Sequence, residues 1–223
     1  MPIAERDLVV VSGADAGGYL QAQLTQDILK LGVGESAWSF LLTPKSEIIA
    51  LMEVTRTGSA EYTLSMEAGW GDVVRTTIDE FLGRMDISFE QSTAAVTEED
   101  EQARIERGWP RMGKEIGDSV TPAMTGIVAE TIAFEKGCYT GQEFVARVHY
   151  RGAEPPKSLV RIVFDDAAEI SEGETIVVDG EESGTVTSTA QGVALGYIKR
   201  GIETPTRGTV NDFDVELLPI QPS

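Results

Sequence analysis

The chain has 223 residues, of which 18 are Lys or Arg, 37 are Asp or Glu and one is His, giving a formal charge of −19. At 41% hydrophobic residues it can bury a core, which excludes a disordered acidic tail, and it has no apolar run of about 18 residues to span a membrane. A surface this negative repels phosphate backbones and anionic membranes; a lone Cys forms no internal disulfide and fits a reducing cytoplasm; no Cys/His set supports a zinc site.

The N-terminus, MPIAERDLVVVSG, does not read as a signal peptide, because acids flank its only Arg and its apolar run is short. Lysine is scarce beside Arg. Acid-rich, Lys-poor surfaces suit a salty cytoplasm, where screening removes self-repulsion; an ordinary acidic protein reads the same way. At roughly 100–200 residues per domain, one large or two modest domains are expected.

Leu8–Val11 reads as a short buried strand. Ser12 to Leu31 reads as a helix with Asp15 as N-cap and Leu20, Leu24, Ile28 and Leu31 on one face. Ala37–Leu42 and Ile48–Arg56 read as paired strands around Thr43-Pro44-Lys45-Ser46, and Glu61–Met66 as a third. Gly71 to Leu82 is an amphipathic helix with Asp72 as cap and Val73, Val74, Ile78, Phe81 and Leu82 as its apolar set. Asp86–Phe89 is a further strand that Ala94–Thr97 extends. This order predicts an α+β fold with helices on one face of an antiparallel sheet.

Glu98 to Arg107 reads as a charged helix ended by Trp109-Pro110, and 111–130 as loop. A helix is expected from Thr140 or Gly141 to about Tyr150. Glu154-Pro155-Pro156 is a linker. Beyond it, Leu159–Phe164, Thr175–Val178, Gly184–Thr189, Val193–Ile198 and Phe213–Leu218 are five short strands, the pattern of a small barrel.

Charge is uneven. Ile162 to Ile198 holds eight acids and no base, whereas Lys136 to Arg161 holds five bases (Lys136, Arg147, Arg151, Lys157, Arg161) against Glu143 and Glu154. The only Cys lies in this basic stretch, just before a predicted helix start. A helix N-terminus and Lys136 both favour a thiolate, so Cys138 is expected to have a lowered pKa. Packing as a small buried hydrophobe is the alternative.

Lys136-Gly137-Cys138-Tyr139-Thr140-Gly141-Gln142-Glu143 resembles the K-G-C-Y-x-G-Q-E signature of the YgfZ family of folate-binding proteins, relatives of the glycine-cleavage T-protein (aminomethyltransferase). Ala146-Arg147 and Arg151-Gly152 resemble its A-R…R-G continuation. Leu20-Gln21-Ala22-Gln23-Leu24-Thr25-Gln26-Asp27 resembles its L-Q-x-Q-L-T-x-D stretch. Arg104 to Gly113 resembles its R-x-E-x-G-x-P-x-x-G stretch.

The resemblance implies α+β folate-binding subdomains around a central hole (residues 1–155, subdomains about 1–92 and 93–155) and a C-terminal β-barrel (156–223). It implies an accessory protein that binds tetrahydrofolate or a derivative; the chain is expected to be a cytoplasmic monomer. Its partners would be a reduced folate and iron–sulfur client proteins or assembly factors, with an indirect effect on tRNA modification. It assigns Cys138 as a reactive thiolate with Lys136 and Tyr139 beside it, and Glu106, Gln142, Glu143, Arg147 and Asp27 to folate. A carboxylate such as Glu106 suits a pterin because it accepts from adjacent N–H donors; a solvated helix Glu is the other reading, and a helix-end residue is the other reading of Asp27.

Two departures count against true aminomethyl transfer. The T-protein's acid would fall at Ala50 or Leu51, which move no proton, and Ser46 replaces a usual Gly. The chain is also short for the family, which implies a reduced middle subdomain. A folate-dependent one-carbon transferase and a non-catalytic scaffold remain the alternatives. One Cys cannot supply the four thiolates of an ordinary cluster, so no stably bound metal is expected.

Overall fold

The computed structural model describes residues 3–80, 82–97 and 99–220. In chain order the strands and helices are β1 (Ile3–Ser12), α1 (Ala16–Gln23), β2 (Ser36–Leu42), β3 (Ile48–Gly58), β4 (Glu61–Glu67), α2 (Gly71–Asp79), β5 (Ser88–Thr97), α3 (Glu101–Arg107), α4 (Pro122–Thr125), α5 (Val128–Thr131), α6 (Gln142–Arg151), β6 (Lys157–Val163), β7 (Thr175–Val178), β8 (Glu181–Ala190), β9 (Val193–Lys199), β10 (Thr206–Val210) and β11 (Phe213–Pro219). Phe81 and Glu98, expected in the second and third helices, lie outside the described residues.

Two compact units form, and they interleave along the chain: Met1–Glu98 with Ala129–Ala146, and Glu99–Val128 with Arg147–Ser223. The segment 99–128, expected with the first region, therefore packs with the barrel.

The first unit is an antiparallel sheet in the order β2-β3-β4-β1-β5. Alternate residues of its strands (Val9 and Val11; Met52 and Val54; Tyr62, Leu64 and Met66) bury one face against Leu20, Leu24 and Ile28 and against Val74 and Ile78. This is the expected arrangement of helices on one face. The first helix is shorter than expected. It ends at Leu24, whose ψ of 153° is extended, and a single 3₁₀ turn follows at Ile28–Lys30. Asp15 sits at the N-cap position but its carboxylate accepts instead from the Asp86 amide.

The second helix also differs in detail. Val73 faces solvent rather than the core. The expected cap, Asp72, accepts from Gln91. The carboxylate that meets the start of α2 is Asp7, from β1, whose Oδ2 accepts from the amides of Gly69 (2.9 Å) and Gly71 (2.8 Å). A negative group at a helix N-terminus satisfies its free donors.

The second unit is a closed six-stranded barrel, β10-β11-β6-β9-β8-β7, filled by Val160, Ile162, Ile176, Ala194, Val210, Val215 and Leu217 among others. The strand absent from the sequence reading is β10. Its Gly208 breaks the apolar alternation, and there is a physical reason for it: a Cβ there would lie 2.4 Å from the Val177 carbonyl oxygen. In the same unit α3 is capped by Asp100, which accepts from the Ala103 amide at 2.9 Å.

A buried polar network fastens 99–128 to the barrel. The Arg104 guanidinium donates to Glu115 (3.1 Å), to the Trp109 carbonyl (2.6 Å) and to Ser188 on β8 (2.9 Å). The Glu115 carboxylate also accepts from Thr187 (2.8 Å), Ser188 (2.6 Å) and the Arg111 amide (2.9 Å).

Candidate functional site

In the first unit the two motif-bearing stretches close onto each other. Thr25 donates its hydroxyl to the Thr131 carbonyl at 2.7 Å and accepts at its own carbonyl from the Ala133 amide. The Gln26 side chain donates to the Glu130 carbonyl, and the Thr140 amide donates to the Ala22 carbonyl. Thr140 Oγ1 donates to Gln23 Oε1 at 3.3 Å.

Lys136 is the centre of this closure. Its Nζ donates to the carbonyls of Gln21 (2.7 Å), Leu24 (2.6 Å) and Gln26 (3.0 Å). An ammonium has three donors, so all are committed to the chain around the C-terminal end of α1, where carbonyls lack intrahelical partners. The same Nζ lies 5.2 Å from the centroid of the Tyr139 ring.

Burial pushes the Lys136 ammonium down to about 8, and the charge of Asp27 opposes that shift. The unfolded chain holds this proton to about 10.4. Between those values the unfolded state binds more protons, so this group adds stability as pH rises from about 8 to about 10.4. In urea unfolding across that window, wild type should gain stability relative to Lys136→Met. Parallel curves would refute the assignment.

Asp27 joins the same cluster. Its carboxylate accepts from Lys30 (2.9 Å) and from Gln21 (2.9 Å). The Lys30 hydrogen bond, above all, holds its carboxyl below the usual range, with Gln21 and the charges of Lys30 and Lys136 assisting against burial. Gln21 meanwhile accepts from the Ile28 amide at 3.1 Å and so shapes the turn after α1.

Gln142 opens α6 and accepts at its Oε1 from the Tyr139 amide at 3.0 Å. Gly141, with φ +82°, is pressed against the β2–β3 turn, where a Cβ would meet the Thr43 carbonyl oxygen at 2.6 Å. Ser46, itself at φ 65°, donates its hydroxyl to the Gly141 carbonyl. Ser46 thus has its own part in holding the motif to the first unit.

Lys136, Tyr139, Gly141, Gln142 and Asp27 are therefore brought together as a scaffold. Cys138 and Glu143 are exposed. Exposure excludes the packed-hydrophobe reading of Cys138. The helix begins four positions beyond Cys138, and the Lys136 ammonium is held by carbonyls, so both features expected to act on the thiol have other positions or partners. Arg147 is exposed on α6.

Glu106 lies in the second unit, on α3. Arg104, in the same stretch, is buried in the network, and Gly108 ends the helix at φ 77°. Glu106 is exposed and its Oε1 accepts from Gln102 at 2.7 Å. Its carboxylate thus lies at the surface of the second unit, where a ligand could reach it. The expected acid positions of the T-protein, Ala50 and Leu51, are buried on β3.

Sequence reasoning did not anticipate a cleft of about 550 Å³ in the barrel unit, lined by Lys114, Asp118, Lys157, Glu182, Tyr197 and Lys199 among others. The three lysines are dispersed in sequence, so no local pattern announces it. Among the described residues, no group of three or more His, Cys, Asp or Glu is placed to hold a metal ion.

No protein-family model matches the sequence. An uncharacterised protein of Haemophilus influenzae is 26% identical over 233 aligned positions, covering 83% of this chain and 82% of that protein. The tRNA-modifying protein YgfZ of Yersinia enterocolitica is 50% identical over 50 residues, 22% of this chain and 15% of that one. An aminomethyltransferase of Streptomyces coelicolor is 29% identical over 132 residues, 52% of this chain and 35% of that one. These last two matches thus span well under half of either named relative. The crystal structure of the glycine cleavage system aminomethyltransferase T from Bartonella henselae superposes with a TM-score of 0.74 at 16% identity, covering 98% of this chain and 86% of that one. The chain has the fold of that aminomethyltransferase.

Proposed function

We propose that this chain is a cytoplasmic, YgfZ-like folate-binding accessory protein that supports iron–sulfur enzymes and affects tRNA modification only through them. The observation that carries the reading is selective exposure. In the Lys136–Glu143 and Arg104–Gly113 stretches most matched residues are consumed by the fold, whereas Cys138, Glu143 and Glu106 are left facing solvent. The local match to YgfZ and the T-protein fold support it.

On this reading Glu106 accepts from the N–H donors of a reduced pterin, and its exposed carboxylate fits that task. A bound reduced folate would supply one-carbon or redox chemistry. Gln142 and Lys136 fix the segment that carries Cys138, Asp27 supplies a charge beside Lys136, and Cys138 meets the client or the transferred group. Glu143 and Arg147 are exposed polar groups on α6 for folate or its anionic tail. The chain as a one-carbon transferase is disfavoured, because Ala50 and Leu51 are apolar and buried where the acid would act.

Calorimetric titration with tetrahydrofolate should show binding at low and high salt. Glu106→Gln should weaken it roughly 10- to 100-fold, the loss of a charge-assisted pair. In a deletion strain, Cys138→Ala should fail to rescue an iron–sulfur enzyme defect while still binding folate. No binding at either salt, or full rescue by Cys138→Ala, removes the corresponding half of the proposal.

A further inference from the structure

Three of the chain's six lysines, Lys114, Lys157 and Lys199, line the cleft of about 550 Å³ in the second unit. Two exposed acids, Asp118 and Glu182, line it with them. Glu115 also borders it, but that carboxylate is buried and matched by Arg104. The cleft therefore carries a small positive balance in a chain of −19.

Two of these lysines are placed against stability. Lys157 on β6 and Lys199 on β9 are direct cross-strand partners, in a ladder that runs to Val163↔Val193 without a register shift. Opposite residues of an antiparallel pair project to the same face with Cβ atoms about 5 Å apart, where like charges repel. Neighbouring groups relieve this little. No carboxylate pairs with Lys157 among the described residues; its Nζ lies 4.2 Å from the centroid of the Tyr197 ring. Lys199 donates to the Glu182 carbonyl at 2.8 Å and pairs with Glu181 only at 3.8 Å, both side chains being exposed. Lys114 pairs with Glu172, again at the surface. Exposed pairs of this kind contribute little, so a ligand can displace them.

The wall beneath is polar and fixed. Tyr197, buried on β9, donates its hydroxyl to the Glu115 carbonyl at 3.1 Å, and Thr187 donates to the Glu115 carboxylate at 2.8 Å. Thr175 and Thr185, cross-strand partners on β7 and β8, add exposed hydroxyls.

We propose that this cleft binds the phosphate group of a small phosphorylated molecule. Charge selects the anion. Two opposed ammonium groups with a third on the same cleft call for more than one negative charge, and a phosphomonoester brings nearly two at pH 7 on three acceptor oxygens. A monocarboxylate brings one. Arg outnumbers Lys twelve to six in this chain, yet every base lining the cleft is Lys, the point charge rather than the planar fork that matches a carboxylate. The volume is that of a small-molecule site and exceeds what a bare phosphate ion needs. A phosphate polymer is disfavoured, because the rest of the −19 surface repels it.

The test is thermal unfolding and calorimetric titration of the full chain with inorganic phosphate and with glycerol phosphate, against sodium chloride at equal ionic strength. Both phosphates should raise the melting temperature of wild type above its value in chloride, as any ligand of the folded state does. Glycerol phosphate should bind at least as tightly as inorganic phosphate. Lys199→Met removes one of the opposed charges, so it should melt no lower than wild type in chloride, yet bind both phosphates about tenfold more weakly or worse. Lys157→Met should weaken binding by a similar factor. Lys45→Met, at an exposed position on the β2–β3 turn of the first unit, is the control for net charge and should bind as wild type does. A wild type that melts alike in phosphate and in chloride overturns the proposal. So does phosphate binding that survives both cleft variants unchanged. Binding of inorganic phosphate with exclusion of glycerol phosphate overturns the assignment to a phosphorylated molecule.

Discussion

Arg104→Ala should destabilise the barrel unit by about 3–5 kcal/mol, the cost of stripping one partner from a buried ion pair. The side chain of Arg104 is 4% exposed and that of Glu115 is fully buried. Removing the guanidinium leaves the Glu115 carboxylate with the hydroxyls of Thr187 and Ser188 and the Arg111 amide, but with no buried countercharge. The Trp109 carbonyl loses its donor as well.

Arg104 also pairs with Glu101 at 2.6 Å, yet that carboxylate is 38% exposed. Glu101→Ala should therefore cost under about 1 kcal/mol, as exposed pairs do. The same arginine thus provides its own control. Arg104→Lys should recover only part of the loss, because one ammonium cannot reproduce a planar fork that reaches Glu101, Trp109, Glu115 and Ser188. Urea unfolding followed by Trp109 fluorescence, in a background with Trp38 and Trp70 replaced by Phe, reads this unit. Equal losses for Arg104→Ala and Glu101→Ala would show that the buried pair contributes nothing special.

That network also marks where sequence reading stops. The hairpin around Thr43–Ser46, the strands β1 to β4 and three of the barrel's strand connections are written locally, in strand-like apolar runs and in Gly or acidic turns. Glu115 is not. In sequence it is one acid in a glycine-rich loop, indistinguishable from a solvated residue, and its burial depends on Thr187, Ser188 and Arg104 arriving from elsewhere. For the same reason the segment 99–128 could not be assigned to the barrel from sequence order.

The candidate site divides in the same way. The motif around Cys138 is legible because its residues are contiguous. The function of its lysine is not, because the partners of Lys136 lie more than a hundred positions earlier in the chain. Proximity in sequence suggested that Lys136 acts on Cys138. The structure gives its donors to Gln21, Leu24 and Gln26, and explains at once why the Leu20–Asp27 stretch and the Lys136–Glu143 stretch accompany each other. The first helix is shorter than its apolar spacing predicts, for a related reason. Its apolar spacing continues through Leu24 and Ile28, but Thr25 must leave the helix to reach Phe40, Thr131 and Ala133.

Gly141→Ala should cost about 2–4 kcal/mol, although it adds a single methyl group. Two penalties combine. The residue stands at φ +82°, where a side chain is strained by about 1–2 kcal/mol. The new Cβ would also lie 2.6 Å from the Thr43 carbonyl oxygen and 3.1 Å from Leu42 Cβ, and a backbone oxygen in a hairpin turn has little room to yield. Relief requires the start of α6 to lift from that turn, which breaks the Ser46 hydrogen bond to the Gly141 carbonyl. Gly137, in the same motif, supplies the contrast. Its φ is unremarkable for an ordinary residue and nothing lies within 4 Å of a Cβ placed there, so Gly137→Ala should leave stability within about 0.5 kcal/mol of wild type. Thermal unfolding of the two variants separates the two roles of glycine in this loop. If Gly137→Ala is as stable as wild type yet fails to rescue the iron–sulfur defect, the open space above Gly137 is where a ligand or client approaches. If Gly141→Ala melts with wild type, the turn is not what holds the motif.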